Sequence, residues 1–151
     1  IYITFRFQWR QGIAAIITLL HDVMVVVGIF SIFDKEFTLP VIAALLTVVG
    51  YSLNDTIVIF DRIRENISKF RKRELLPLIN QSVTETLSRT LLTSGTTLMV
   101  VLALVFLGGE IIHDFAFALL VGVLIGTYSS IYVASPTVLW LTKIAPPKTS
   151  D

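Results

Sequence analysis

The chain has 151 residues, of which 54% are hydrophobic and 15% charged, and its formal net charge is +1. Its mean hydropathy of +0.81 excludes an ordinary soluble domain, which needs more polar surface to cover its exterior. The absence of cysteine excludes a disulfide framework and a cysteine nucleophile, and two isolated histidines are too few for a zinc site. The net charge gives no indication of a nucleic-acid partner.

Four stretches are long and apolar enough to be membrane spans, since a spanning helix needs about 20 mostly apolar residues. They cover residues 12–33, 39–60, 86–107 and 115–141. We therefore predict an all-α, polytopic transmembrane bundle over residues 12–142. Residues 1–11 resemble the end of a preceding span and a cytoplasmic turn, so we expect a fragment of a longer protein, and residues 143–151 form a cytoplasmic tail.

The basic residues predict the orientation of the bundle, because Lys and Arg accumulate in cytoplasmic loops. They lie before the first span, between the second and third, and after the fourth: Arg6, Arg10, Arg62, Arg64, Lys69, Arg71, Lys72, Arg73, Lys143 and Lys148. Of the opposite turns, only the first carries a basic residue, Lys35. Both ends of the chain are therefore expected in the cytoplasm.

The connection between the second and third spans, residues 61–82, has an amphipathic pattern. Ile63, Ile67 and Phe70 recur at helical spacing among basic residues. Two interpretations remain open: a short helix lying on anionic headgroups, or a solvated extension of the second span.

The fourth span carries a stripe of small residues at every fourth position: Ala118, Gly122, Gly126, Ser130 and Ala134. Small residues let helix backbones approach closely in lipid, where packing drives association. We expect this stripe, with Gly122, Gly126 and Ser130 at its centre, to be a helix-packing surface.

Three acidic or basic residues of the Asp, Glu, Lys and Arg types lie inside the predicted spans, where a charge costs several kcal/mol unless it is paired or hydrated. Asp22 is in the middle of the first span, Asp55 is about 7–8 Å from the cytoplasmic edge of the second, and Arg89 is about 5 Å deep in the third. Because these last two spans are antiparallel neighbours, we expect Asp55 and Arg89 to meet.

Two roles are open for this pair. Protonation of Asp55 would release Arg89 and bias two helix arrangements, or the pair would only fix helix register. The surrounding polar side chains favour the first role, because they would line a water-accessible path: Tyr51, Asn54, Thr56, Thr93 and Thr97.

Asp22 is also open to two interpretations, since it would accept hydrogen bonds from a neighbouring helix or lie on a proton path. His21 points about 100° away on a helix, which disfavours a direct His21–Asp22 relay. An aspartyl protease built on Asp22 and Asp55 is disfavoured, because a nearby Arg opposes a shared proton. The sequence predicts a transporter component and not an enzyme.

Five motifs together resemble the SecD/SecF family of bacterial protein-export membrane proteins, and its SecF branch in particular. They are Gly50–Asn66, Leu87–Thr97, Gly126–Ser135, Phe5–Arg10 and the His21-Asp22 pair. The resemblance covers nearly the whole chain.

This resemblance implies half of an RND-superfamily transporter, with six spans and a periplasmic domain, of which this chain holds the last four spans. It further implies a role beside SecD in the bacterial inner membrane, where the proton-motive force helps the SecYEG channel export preproteins. YajC and YidC are expected alongside. Asp55 and Arg89 match the family's charged pair linked to proton conduction, Thr93 matches a polar residue near that path, and Asp22 has a weaker assignment.

The resemblance implies no cofactor beyond a coupling ion, H⁺ or Na⁺. Two other functions stay open: an RND-type half-transporter that exports lipids or drugs, and a non-conducting scaffold for SecD and the channel.

Overall fold

The computed structural model describes residues 8–70 and 74–144, and within these ranges every regular element is helical. The helices are α1 (Trp9–Ile32), α2 (Leu39–Lys69), α3 (Leu75–Leu107), α4 (Glu110–Ser129) and α5 (Ser135–Ile144), with a π-helical segment (Ser130–Ala134) joining α4 to α5. Four helical units, α1, α2, α3 and the continuous α4–α5 unit, are long and apolar enough to cross a membrane. The predicted all-α bundle of four spans is confirmed.

The connection at residues 61–82 is not a separate surface helix. α2 continues without a break to Lys69, and α3 already begins at Leu75, well before the predicted start at residue 86. The extension of α2 is supported by ion pairs of Glu65 with Arg62 at 2.7 Å and with Lys69 at 2.6 Å, at the helical spacings that favour such pairs. Of the two interpretations, the structure therefore shows the helix extension.

Several predicted features lie outside the described residues: the basic run at 71–73, the opening residues 1–7 and the tail at 145–151. Two ends of helices agree closely with the sequence. Pro40 lies in the first turn of α2, where its missing N–H costs little. α3 ends at Leu107, and Gly109 then adopts a φ of +79° that a side chain would disfavour.

The widened turn between α4 and α5 has a local cause that we did not predict. Pro136 follows the π-helical segment by two residues and has no N–H for the carbonyl four residues earlier, that of Tyr132. Its ring also crowds that carbonyl, so the helix cannot keep the α-helical hydrogen-bond pattern there.

The bundle has two apolar clusters with a polar layer between them. One cluster joins α1, α2, α3 and α5 near the α2–α3 connection and includes Ala14, Phe60 and Ile63. The other, at the opposite end, includes Phe30 and Val41. Between them, α1, α2 and α4 bury polar side chains, among them Asp22, Ser52, Asp55, Thr56, Ser129 and Ser130. This layer contains the candidate site.

Candidate functional site

Asp22 is fully buried and has hydrogen-bond partners on both carboxylate oxygens. The hydroxyl of Ser52, on α2, donates to Asp22 Oδ2. His21 Nδ1 lies 3.1 Å from Asp22 Oδ1. A bond from a neighbouring helix, one of the two open interpretations, is therefore present. His21 also contacts Asp22, because neighbouring side chains that diverge at Cβ can still turn toward each other.

Ser52 is held at this position by the small-residue stripe of α4. All five members of the stripe are buried. A Cβ placed on Gly126 would lie 3.3 Å from Ser52 Cβ, and one on Gly122 would clash with the side chain of Val48. The α4 backbone therefore packs directly on α2, and one turn further Thr56 Oγ1 lies 3.2 Å from Ser130 Oγ.

A second polar chain ties three helices together. The Tyr51 hydroxyl donates to Ser94 Oγ at 2.9 Å, and Ser94 Oγ lies 2.7 Å from Thr127 Oγ1, joining α2, α3 and α4. Ser94 also completes a buried polar stripe along α3 at four-residue spacing, which consists of Ser82, Thr86, Thr90 and Ser94. We did not predict this stripe from the sequence, although the same four-residue spacing that marks α4 would have shown it.

Asp55 differs from Asp22 in one respect that bears on function. Its side chain is buried, with 5% exposed, and its Oδ2 atom has no hydrogen-bond partner among the described residues. A buried carboxylate oxygen without a partner is costly and uncommon, and such atoms concentrate where chemistry requires them. Asp55 is therefore the carboxylate of the polar layer with an oxygen available to bind a proton.

Arg89 lies close to Asp55 but does not pair with it. Asn66–Ser82 and Tyr51–Ser94 hydrogen bonds set the register of α2 and α3, and this register places Arg89 within about 3 Å of Asp55 along the helix axis. Arg89 acts on Asp55 electrostatically, yet among the described residues it forms no ion pair, and it is exposed.

The absence of the predicted ion pair has a geometric reason. The face of α3 that packs into the bundle carries Thr86 and Thr90, and Arg89 is one residue away, about 100° around the helix. Thr93, also exposed, donates its hydroxyl to the Arg89 carbonyl at 3.0 Å and the Thr90 carbonyl at 3.1 Å. The two side chains therefore lie beside the buried layer, on the outer surface of α3.

A network of charged and amide groups lies one turn closer to the α2–α3 connection. Glu85 Oε2 accepts hydrogen bonds from Arg62 Nε at 2.5 Å and from Asn66 Nδ2 at 3.1 Å, and Glu85 Oε1 accepts one from Gln81 Nε2 at 2.8 Å. The Asn66 amide also donates to Ser82 at 2.9 Å. This network joins α2 to α3 beside the apolar cluster that includes Ile63. Nowhere in the described ranges do three His, Asp or Glu side chains converge as a metal site would require.

The family model described as "Protein export membrane protein SecD/SecF, C-terminal" matches residues 1–144 of the chain. The chain belongs to the SecD/SecF family. The resemblance carried by the sequence motifs is thus confirmed, and with its four long apolar helices this SecD/SecF chain is a multi-pass membrane protein.

Its relatives and structural neighbours carry SecF or SecDF in their names. The protein translocase subunit SecF of Desulfurispirillum indicum is 60% identical over 89% of the chain, and that of Vibrio alginolyticus is 57% identical over 93%. The crystal structure of SecDF from Thermus thermophilus, described as a translocon-associated membrane protein, superposes with a TM-score of 0.91 at 52% identity and covers 94% of the chain.

The chain corresponds to part of these proteins. It spans 44% of the D. indicum subunit, 45% of the V. alginolyticus subunit and 20% of the T. thermophilus SecDF chain. The matched family model is the C-terminal one, so the four helices correspond to the C-terminal membrane region of this family.

Proposed function

We propose that this chain is the membrane part of a SecF-type subunit that, with SecD, couples the proton-motive force to late-stage export of preproteins through SecYEG. It is a transporter component and not an enzyme. The proposal rests on the environment of Asp55. Its carboxylate is buried in the bundle, and one of its oxygens has no hydrogen-bond partner among the described residues. Ionisable residues inside membrane spans generally mark ion pathways.

Asp55 provides a site that exists in two charge states. Ionised, it attracts the nearby guanidinium of Arg89; protonated, it does not. A change in this attraction alters the preferred arrangement of α2 and α3, which is how a local charge change biases a two-state element. The proposed ion is H⁺ rather than Na⁺, because one free carboxylate oxygen is enough to accept a proton. Asp22 lies in the same buried polar layer as Asp55, and Thr93 lies beside that layer on the outer surface of α3.

SecD is the proposed partner for the outer face of α3. Arg89, Thr93 and Thr96 recur on that face and are exposed, although a charged group facing lipid is costly. Helices of a partner would cover this polar strip. A SecDF protein, whose name combines SecD and SecF, is 53% identical to this chain over 92% of the length of this chain. YajC and YidC are further proposed partners, and the preprotein would be handled by a periplasmic domain of the full-length subunit.

The proposed location is the bacterial inner membrane, with the α2–α3 connection on the cytoplasmic side. Arg10, Arg62, Arg64, Lys69 and Lys143 lie at that end of the bundle or at the chain ends next to it. Lys35, the basic residue at the opposite end, is neutralised by Asp114 at 2.6 Å, so it does not weaken the asymmetry.

The test is gradient-driven preprotein export from vesicles that contain the full-length subunit, SecD and SecYEG. Asp55→Asn is expected to abolish the gradient-driven step while ATP-driven export continues. Asp34→Asn is the matched control, because Asp34 is exposed in the α1–α2 turn and should tolerate the same change. If both variants export normally, the chain is a scaffold. Preprotein export that depends on a Na⁺ gradient would identify Na⁺ instead of H⁺ as the coupling ion. Efflux of a lipid or drug would favour an RND-type exporter.

A further inference from the structure

Glu85 and Arg89 have the spacing at which acidic and basic side chains usually pair on a helix. They are four residues apart on α3 with the acid on the N-terminal side, which is the favourable order for such a pair. In the structure they do not pair. The Glu85 carboxylate instead accepts hydrogen bonds from Arg62, Asn66 and Gln81.

Arg62 is the charged donor among these three, and it lies on α2, as does the neutral donor Asn66. Its Nε atom lies 2.5 Å from Glu85 Oε2, and its Nη1 atom lies 2.7 Å from Glu65. Hydrogen bonds from a guanidinium to a carboxylate are stronger than those from a neutral amide. Arg62 therefore supplies the charged attraction that keeps Glu85 turned toward α2, and Asn66 adds a neutral hydrogen bond from the same helix.

Arg89 lies within reach of Glu85 if this attraction is lost. Arg62, Glu65, Glu85 and Arg89 line the same open cleft of about 290 Å³ between α2 and α3. Asp55 lies seven residues before Arg62, two turns deeper on the same face of α2. Glu85 and Asp55 are thus two carboxylates on opposite sides of the level of Arg89, so a pair with Glu85 would draw the Arg89 side chain away from Asp55.

We propose that Arg62 is a positioning residue that holds Glu85 away from Arg89 and so keeps the Arg89 charge available to Asp55. The inference rests on the proposed coupling function. It adds Arg62, near the α2–α3 connection, to the residues that take part in coupling. Without Arg62, Glu85 takes its ordinary partner one turn along α3, and Arg89 no longer responds to the charge state of Asp55. The Arg62–Glu85 contact then acts on coupling through its effect on a third residue and not only as a link between two helices.

The test uses suppression between two substitutions in the full-length subunit with SecD, measured as gradient-driven export. Arg62→Gln is expected to lower this export about threefold to tenfold, the range that corresponds to the loss of one ordinary hydrogen bond at an exposed position. Glu85→Gln removes the competing charge, so the double variant Arg62→Gln/Glu85→Gln is expected to recover export. Arg62→Lys, which keeps a positive donor for Glu85, is expected to retain it.

Lys69→Gln is the matched control, because it removes one positive charge from the same exposed end of α2 and one ion pair to Glu65 without touching Glu85. It is expected to export at the wild-type rate. Copurification with SecD at wild-type yield establishes that each variant is folded.

The alternative role, a clamp between α2 and α3, predicts a different pattern. A clamp is broken by Arg62→Gln and by Glu85→Gln alike, and the double variant stays impaired. That pattern, or full export by Arg62→Gln, would overturn the inference. If Asp55→Asn reduces gradient-driven export while Arg62→Gln does not, only this inference fails; if Asp55→Asn has no effect, the proposed function fails with it.

Discussion

Two buried aspartates in one polar layer have different environments, and this difference separates a structural carboxylate from a candidate proton carrier. Asp22 has partners on both oxygens, from Ser52 and His21. Asp55 has an oxygen that finds no partner in the described part of the chain. Because a buried polar group without a partner is costly, Asp22 is expected to serve stability and Asp55 to serve coupling.

Removal of the Ser52 hydroxyl, which donates to Asp22, tests the expected role of Asp22 in stability. Ser52→Ala leaves a fully buried carboxylate oxygen without its partner, so the free energy of unfolding should fall by about 1–3 kcal/mol. Thermal unfolding in detergent measures the change. Ser68→Ala is the control, since Ser68 is exposed on the same helix. Equal stability of the two variants would show that the Ser52–Asp22 bond contributes nothing net.

The sequence predicted which charged residues lie inside the spans, but not how each is oriented. Depth along a helix follows from residue counting, and the level of Arg89 relative to Asp55 agrees with that counting. Orientation around the helix depends on which face packs. The buried Ser82–Ser94 stripe decides this for α3 and turns Arg89 outward. The stripe is visible in the sequence, whereas the missing partner of Asp55 Oδ2 emerges only from the packed bundle.

At the scale of elements, close packing of α4 on α2 sets the geometry of the polar layer. Gly122 lies against Val48 and Gly126 against Ser52, which brings Thr56 within reach of Ser130. The four-residue stripe predicted a packing surface on α4 but not which helix it meets. The π-helical turn before Pro136 and the early start of α3 at Leu75 were also missed, because hydropathy reports the apolar part of a helix and not where the helix ends.

Gly122→Ala tests this contact, because its new methyl group would overlap the Val48 side chain. Overpacking of this kind should lower the free energy of unfolding by about 1–3 kcal/mol. Gly28→Ala has open space around the added Cβ and should be neutral or slightly stabilising. Adding Val48→Ala to Gly122→Ala should restore part of the loss; a double variant no more stable than the single one would argue against this contact as the cause.

For the whole molecule, the exposed polar strip on α3 indicates where the bundle is incomplete. α1 and α3 each pack against both α2 and the α4 unit, so they lie on different sides of the bundle. The outer face of α1 is apolar, with Met24 67% exposed. The outer face of α3 carries Arg89, Thr93 and Thr96. The apolar outer face of α1 is therefore expected to contact lipid, and the polar outer face of α3 to contact a protein partner.

Single cysteines distinguish these faces, since the chain itself has none. Labelling of Thr96→Cys by a membrane-permeant thiol reagent is expected to fall severalfold when SecD is bound. Labelling of Met24→Cys should not change. Equal labelling of Thr96→Cys with and without SecD would exclude the α3 strip as the covered face.

We expect Asp55 to gain and lose a proton when the gradient is applied. Infrared difference spectroscopy of vesicles carrying the full-length subunit with SecD, recorded with and without the gradient, measures this directly. We expect a carboxyl C=O band that responds to the gradient, persists in Asp34→Asn and is absent from Asp55→Asn. An unchanged band in Asp55→Asn would contradict a role of Asp55 as the proton carrier and assign the proton to another carboxylate.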